Sequence, residues 1–484
     1  MRPYPPPKRV SRALGVLTVL AALALAASAP AAPVPQRSRP PVTAVGALIQ
    51  LPGQSGCLVD RSRPARGCTR VRALGGPAPF LGSVAIAISP DGRNVYVAAS
   101  RSNAIAVFKR SAHTGRLTQG PGAAGCIASH GAGGCAAALG LIGPNSVTVS
   151  ADSRNVYSTS LASNAVDVFR RNPATGALSQ AAEGGCIANV PTSGCATGRA
   201  LDGPDVVTVS PDGLNVYVGS FAGSSIAVFT RDPSTGGLAQ PAGTTGCIVE
   251  VPTSGCAPAV ALASPEGMAI SADGNDVYVA AALSGALDTF SRNASTGALT
   301  QLAGGAGCTV DTALWGCTVG VQVGGADAVT VSPDDDDVYV TSFLSNSITA
   351  FTRTATTGQL SQQTGTSACA IYVLAVGCSL ARAFSAPEGL VVSPDGASVY
   401  TTAFVSGALG VFGRNSESGA LIQKPRGAGC MTTGATQDCA PARALLGASS
   451  ATVSPDGRNV YSAAFDSNAV AVFKRITHPA HSGR

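Results

Sequence analysis

Short apolar bursts recur along the chain, each cut off by Pro, Gly, Asp, Asn or Ser. Val, Ile, Thr, Tyr and Phe dominate the bursts, and these side chains suit a pleated, half-buried surface. The pattern predicts short, evenly spaced β-strands and no long amphipathic helix.

The bursts are copies of one another. SPDGRNVYVAAS (89–100) returns as SADSRNVYSTS, SPDGLNVYVGS, SADGNDVYVAA, SPDDDDVYVTS, SPDGASVYTTA and SPDGRNVYSAA, beginning at Ser150, Ser210, Ser271, Ser332, Ser393 and Ser454. The step is 61 residues, once 60. Such a period marks a stack or ring of one supersecondary unit. Each unit reads as four strands. A β-branched run such as 206–210 leads into a Ser-Pro-Asp-Gly turn, where Pro presets φ and Gly accepts a left-handed conformation. A Val-Tyr-Val strand follows, then a third ending at Phe169 or its equivalents, then a Gly-Ala-Leu-Thr-Gln strand.

Seven such units predict an all-β, seven-bladed β-propeller with four-stranded blades of about 61 residues. An open solenoid or two sandwiches would share the period, but the chain ends argue for a ring. The seventh unit stops before its fourth strand, and residues 45–68 carry the missing piece. VGALIQLPGQSGC (45–57) matches TGALTQLAGGAGC (296–308), with the same nine-residue step from Leu to Cys. Only a closed ring needs this complement, which removes the exposed sheet edges. The propeller is therefore expected over residues 45–484.

Residues 1–29 read as a secretory signal: Lys8, Arg9 and Arg12 precede an apolar run over 13–27, with Ala27-Ser28-Ala29 as a cleavage region. A retained anchor is the competing reading. Residues 30–44 read as a Pro-rich linker. These readings predict a secreted or extracytoplasmic monomer with no transmembrane segment once the signal is removed. The formal charge of +6 comes from Arg2, Lys8, Arg9, Arg12, Arg37 and Arg39; residues 45–484 carry none. The global balance gives no case for nucleic acid as a partner.

The SPDGRNVYVAAS…NAIAVF…TGRLTQ pattern resembles the lactonase-like seven-bladed propellers, the family of 6-phosphogluconolactonase and carboxymuconate cyclase relatives. The resemblance implies a lactone hydrolase, with a His-containing motif at the entry of an inner strand in catalytic members. The matching places read Pro144-Asn145-Ser146, Pro204-Asp205-Val206 and Pro265-Glu266-Gly267, without His. Enzyme activity is therefore left open, and catalytic residues are not assigned. A ligand-binding or interaction scaffold is the first expectation, and a lactonase, metal-assisted or not, is the alternative. The partner would be a small molecule, a glycan or a protein.

Five residues before each repeat Ser stand Val84, Asn145, Asp205, Glu266, Asp327, Glu388 and Ser449. In propellers this position opens the inner strand near the channel mouth, so a ligand-binding ring is expected at Asn145 to Ser449. Asp205, Glu266, Asp327 and Glu388 would suit a hard cation such as Ca²⁺, and gluconolactonase-type propellers are similar in holding a divalent metal with Glu, Asn and Asp there. Local turn hydrogen bonds are the bland alternative.

The 14 cysteines fall as one pair per unit: Cys57 and Cys68, Cys126 and Cys135, Cys186 and Cys195, Cys247 and Cys256, Cys308 and Cys317, Cys369 and Cys378, Cys430 and Cys439. Disulfides within each loop are expected, although spacing alone does not fix connectivity. The loops, expected on the ligand-binding face, differ in content. Trp315 and Tyr372 are candidate anchors, against the reading of the loops as staples. Two charge clusters complete the inventory: Arg61, Arg63, Arg66, Arg70 and Arg72, which could meet an acidic polymer or phosphate, and Asp334 to Asp337, expected as a solvated turn or a Ca²⁺ site.

Overall fold

The computed structural model describes residues 44–63, 66–77, 84–314, 316–434 and 438–478. The signal and linker readings lie outside them. Among the described residues no helix is long and apolar enough to cross a membrane.

Seven sheets, antiparallel except for a parallel strand at each outer edge, form the blades of a β-propeller, numbered here by their repeat serines from Ser89 (blade 1) to Ser454 (blade 7). In blade 2 the strands are Pro144–Val149, Asn155–Ser160, Ala165–Arg171, Leu178–Gln180, Cys186–Ala188 and Ala196–Thr197. The first three form a meander from the channel outwards. The predicted fourth strand is broken in two: Leu178–Gln180 and Cys186–Ala188 pair with opposite ends of Ala165–Arg171. A tight bend separates the pieces. In blade 4, Gly307 holds this bend, where a Cβ would collide with the carbonyl of Leu302. The last strand lies parallel to the Cys-led piece and covers the blade's outer edge.

The N-terminal fragment completes blade 7. Leu48–Gln50 and Cys57–Asp60 both pair with Ala469–Arg475, with Leu48 opposite Arg475 and Cys57 opposite Ala471. The ring therefore has no open blade.

The core lies between blades. Tyr217 and Ile226 of blade 3 pack on Val277 and Phe290 of blade 4, and equivalent clusters recur around the ring. Two polar devices repeat seven times beside it. At the outer side, a Gln side chain brackets the backbone of the preceding blade: Gln180 accepts from Leu139 N–H and donates to its carbonyl. Gln119, Gln240, Gln301, Gln362 and Gln423 do the same, and so does Gln50 to Arg443 across the seam.

At the other end of the blades, the arginine ending each third strand reaches the Ser-Pro-Asp-Gly turn of the preceding blade. Arg292 donates to Tyr217 Oη (2.9 Å), to Asp212 Oδ2 (2.6 Å), to Asn215 Oδ1 (2.6 Å) and to the carbonyl of Gly274 (2.9 Å). Burial pushes the Tyr217 hydroxyl up to about 12, so it stays protonated and donates to Gly297 O. Burial works against the Asp212 carboxylate, yet hydrogen bonds from Ser210, Leu214 N–H and Arg292 hold it below the usual range. Arg110 to Asp456 closes the circuit across the seam. Asp334 and Asp337 belong to this system rather than to a solvated turn or Ca²⁺ site, since both pair with Arg414, while Asp335 lies 3.5 Å from Arg353. Arg292→Met is expected to cost about 2–3 kcal/mol in denaturant unfolding. That is below the usual penalty for orphaning a buried partner, because water still reaches Asp212. Asp212→Asn, which keeps a hydrogen-bond acceptor, should cost less.

Candidate functional site

The ring of residues at the inner-strand starts is built by a backbone irregularity. In blades 2 to 7 the register between first and second strands slips where the ring residue sits: between Pro144 and Val147, Pro204 and Val206, Pro265 and Gly267, Ala326 and Val329, Pro387 and Leu390, and Ala448 and Ser450. A bulge re-aims one side chain out of the alternation. Neighbouring inner strands also approach closely. A Cβ at Gly267 would collide with the carbonyl of Asp327, so glycine beside Glu266 is what lets the two blades meet. Val84 departs from the ring: it is exposed, and blade 1 has only a short inner strand, Ile86–Ile88.

Asn145, Asp205, Glu266, Asp327, Glu388 and Ser449 are all buried. The Asn145 amide donates to Asp205. Beyond that, Asn145 Oδ1, Asp205 Oδ2, both oxygens of Glu266, both of Asp327 and Ser449 Oγ have no partner. Among the described residues no arginine or lysine forms an ion pair with these carboxylates. Burial, then the charge of Glu266, raises Asp205 well above the usual carboxylate range. Burial, then Asp327, raises Glu266, and burial, then Glu388, raises Asp327. Glu388 is raised by burial, then by Glu266, Asp205 and Asp466. The ring is an acid cluster that retains protons. Glu266 and Asp327 are near enough to share one, and with both ionised neither has a donor.

An oxygen-only donor set is the right chemistry for a hard cation. Among the described residues, however, no three acidic side chains come together closely enough to hold one ion. The carboxylates of Asp205, Glu266, Asp327 and Glu388, the expected Ca²⁺ ligands, stand one per blade around the ring.

The cysteines pair within their own loops, as the spacing led us to expect. Cys57 is bonded to Cys68, Cys126 to Cys135, Cys186 to Cys195, Cys247 to Cys256, Cys308 to Cys317, Cys369 to Cys378 and Cys430 to Cys439. The Cα–Cα separations are 4.7–4.9 Å, and no described cysteine is free. Such bridges suit an oxidising compartment. Each loop opens at the end of the blade where the inner strand begins: in blade 2, Ala188 is opposite Ala165, Ala165 opposite Ser160 and Ser160 opposite Pro144. The first cysteine of each pair opens the Cys-led outer strand, and the second, as at Cys135, Cys195, Cys256, Cys317, Cys378 and Cys439, directly precedes the edge strand parallel to it. The loops therefore leave from the outer edge of the blades, three to four strand spacings from the inner strands, roughly 14–19 Å. The ring and the loops share one end of the blades, with the ring at its centre and the disulfide-closed loops at its rim. Tyr372 is exposed beside Val373, Leu374 and Val376. Trp315 lies outside the described residues.

Three features escaped the sequence reading. Phe404 and Phe465, in the turns joining second and third strands of blades 6 and 7, sit 6.5 Å apart, and the Arg101 guanidinium lies 3.8 Å above the Phe465 ring. The signal was Phe recurring at 221, 343, 404 and 465. Phe404 N–H donates to Ala386 O and Phe465 N–H to Gly447 O, two residues before Glu388 and Ser449, so this aromatic cluster lies near the ring. Finally, Asp167 and Asp288 are buried in third strands opposite Cys186 and Cys308, and burial pushes Asp167 up to about 8.

The family model described as "Lactonase, 7-bladed beta-propeller" matches residues 77–196 and 140–314. No curated protein matches the chain in sequence. A functionally unknown protein from Desulfotomaculum acetoxidans superposes with TM-score 0.51 at 15% identity, over 79% of this chain and 92% of that one. A putative 6-phosphogluconolactonase from Bacteroides fragilis gives 0.48 at 18% identity, over 70% and 81%. The periplasmic gluconolactonase of Pseudomonas aeruginosa gives 0.46 at 18%, over 78% and 93%. With its repeat, its seven closed blades and the matching family model, this chain belongs to the lactonase-like seven-bladed β-propellers, with a disulfide loop added to each blade.

Proposed function

We propose that the protein is an extracytoplasmic binding propeller whose acid ring takes a hydroxyl-rich small molecule of the sugar or aldonolactone class. The observation that carries this reading is the set of unpaired oxygens on Asn145, Asp205, Glu266, Asp327 and Ser449, each delivered by its own blade. A polyol supplies the missing donors without bringing charge, and protonated carboxyls can donate in return. Phe404 and Phe465 offer an apolar face to the carbon skeleton of such a ligand. The disulfides and the signal-like N-terminus support export.

Lactone hydrolysis is the second reading, favoured by the family and by the Glu266–Asp327 pair. An ionised Asp327 would take a proton from water as its oxygen adds to the lactone carbonyl. A protonated Glu266 would give its proton to the departing ring oxygen.

Calorimetric titration with glucono-δ-lactone and with glucitol, alongside a hydrolysis assay at pH 6 and 7, separates the readings. Saturable binding of both compounds, weakened at least tenfold in Glu266→Gln/Glu388→Gln, is expected. Hydrolysis no faster than the spontaneous rate removes the lactonase. Absence of binding removes the polyol site. A Ca²⁺-dependent melting shift lost in the same variant would replace it with a cation site.

A further inference from the structure

Three arginines stand where the repeat has no lysine or arginine. Arg61 follows the first Cys of its loop by four residues, a place held elsewhere by His130, Val190, Val251, Thr312, Val373 and Gly434. Arg70 lies two residues after the second Cys, where the other blades have Ala, Thr, Pro, Val, Leu and Pro. Arg116 follows the Thr-Gly turn, where the others have Ala, Gly or Gln. Arg61 and Arg70 belong to blade 7 and Arg116 to blade 1. These separate departures from the repeat converge in one open cavity of about 650 Å³ between the outer edges of the two blades.

Arg72 is the fixed wall of that cavity: its guanidinium donates to Gly120 O (3.1 Å) and Gly122 O (3.0 Å). A smaller cavity of about 240 Å³ shares residues 118–121 with it and adds Lys109. Among the described residues no carboxylate lines either cavity. Among the described residues, Arg61, Arg70, Arg72 and Arg116 make no ion pair, whereas every arginine ending a third strand has an Asp. The chain without its leader and linker is neutral, so this is local concentration rather than background charge.

We propose that the groove between blades 7 and 1 binds a linear polyanionic glycan, its sulfate or phosphate ester groups held by Arg61, Arg70 and Arg116. The cations lie on both walls and continue towards Lys109, which a chain of repeated anions spans and a single anion does not. Among the described residues no aromatic ring lines the groove, which disfavours the base stacking that nucleic acid uses. Arginine's planar fork matches both ester types, so the two sources are distinguished by experiment.

Fluorescence anisotropy at low salt, on the chain without its leader, tests this with a labelled heparin-derived oligosaccharide and a labelled phosphate-ester oligosaccharide of the same length. One of them is expected to bind, identifying the ester. Arg61→Gln/Arg70→Gln/Arg116→Gln should weaken that binding at least tenfold and flatten its salt dependence, with the melting temperature unchanged. Arg93→Gln/Arg154→Gln/Arg458→Gln, in exposed turns that line neither cavity, should stay within twofold. Four results would overturn the proposal: neither oligomer binding, equal loss in the second triple variant, single-stranded DNA binding as tightly, or inorganic phosphate displacing the oligomer at equal phosphate concentration.

Discussion

A chain lacking residues 45–68 is expected to lose its cooperative unfolding transition, or to melt far below the intact propeller. Deletion of residues 30–43 should leave the melting temperature within about 2 °C. The larger deletion strips Leu48–Gln50 and Cys57–Asp60 from Ala469–Arg475 and leaves that strand as an open edge. It empties the buried sites of Leu48, Leu58 and Val59, each worth about 2 kcal/mol. It also removes the Cys57–Cys68 bridge, worth roughly 2–3 kcal/mol, and the Gln50 bracket on Arg443. The Tyr400 hydroxyl loses its acceptor, Gly46 O, and Leu74 N–H loses Asp60. The sum approaches ~10 kcal/mol, comparable to the whole stability of an ordinary domain. Calorimetry of the two truncations decides the matter, and equal melting would mean that the ring does not depend on its N-terminal strand.

That closure was legible because it is a spacing: the step from Leu48 to Cys57 repeats elsewhere, and strand pairing follows from the repeat. Tyr96 and its six counterparts were legible as strand residues, but their hydroxyls' role was not, because their partner arginines belong to the next blade. The Phe-x-Arg ending of every third strand, from Arg110 to Arg475, carried that signal at the same period. The acid run Asp334 to Asp337 misled for a related reason. Its partners, Arg353 and Arg414, are 18 or more residues away in sequence and look like ordinary strand ends.

The site was half legible. A fixed offset from each repeat Ser marked Asn145 to Ser449 as equivalent. Their burial was not readable, because it depends on how tightly one blade's inner strand meets the next, as at Gly267 and Asp327. The radial place of the cysteine loops was not readable, because the bend in the fourth strand adds two outer pieces that carry the bridges to the blade's rim.

The ring also dictates how stability responds to pH. Asp205, Glu266, Asp327 and Glu388 all have folded-state pKa values raised above those of the unfolded chain, first by burial and then by one another. A carboxyl raised in this way binds more protons folded than unfolded. Its contribution is fully present below the unfolded value of about 4, and is lost as pH rises towards the folded value. The turn aspartates, such as Asp212 and Asp273, run the other way: held low against burial by hydrogen bonds from Ser210 or Ser271 and a turn N–H, then by their arginines, they withdraw their contribution as the medium becomes acidic. Stability should therefore peak in mildly acidic solution and fall from pH 5 to pH 8.5. Glu266→Gln/Asp327→Asn removes two of the mutually repelling charges and supplies amide donors to neighbouring oxygens. It is expected to raise unfolding stability at pH 8.5 by about 4 kcal/mol, the scale of relieving two buried, unpaired charged groups. The fall with pH should become shallower without vanishing, since Asp205, Glu388, Asp167 and Asp288 still titrate. Guanidinium unfolding at pH 5, 7 and 8.5, with a chelator present, reads this directly. A wild-type protein whose midpoint holds or rises across that range, or a double variant with an unchanged slope, would mean that the ring carboxyls do not hold the protons their burial implies.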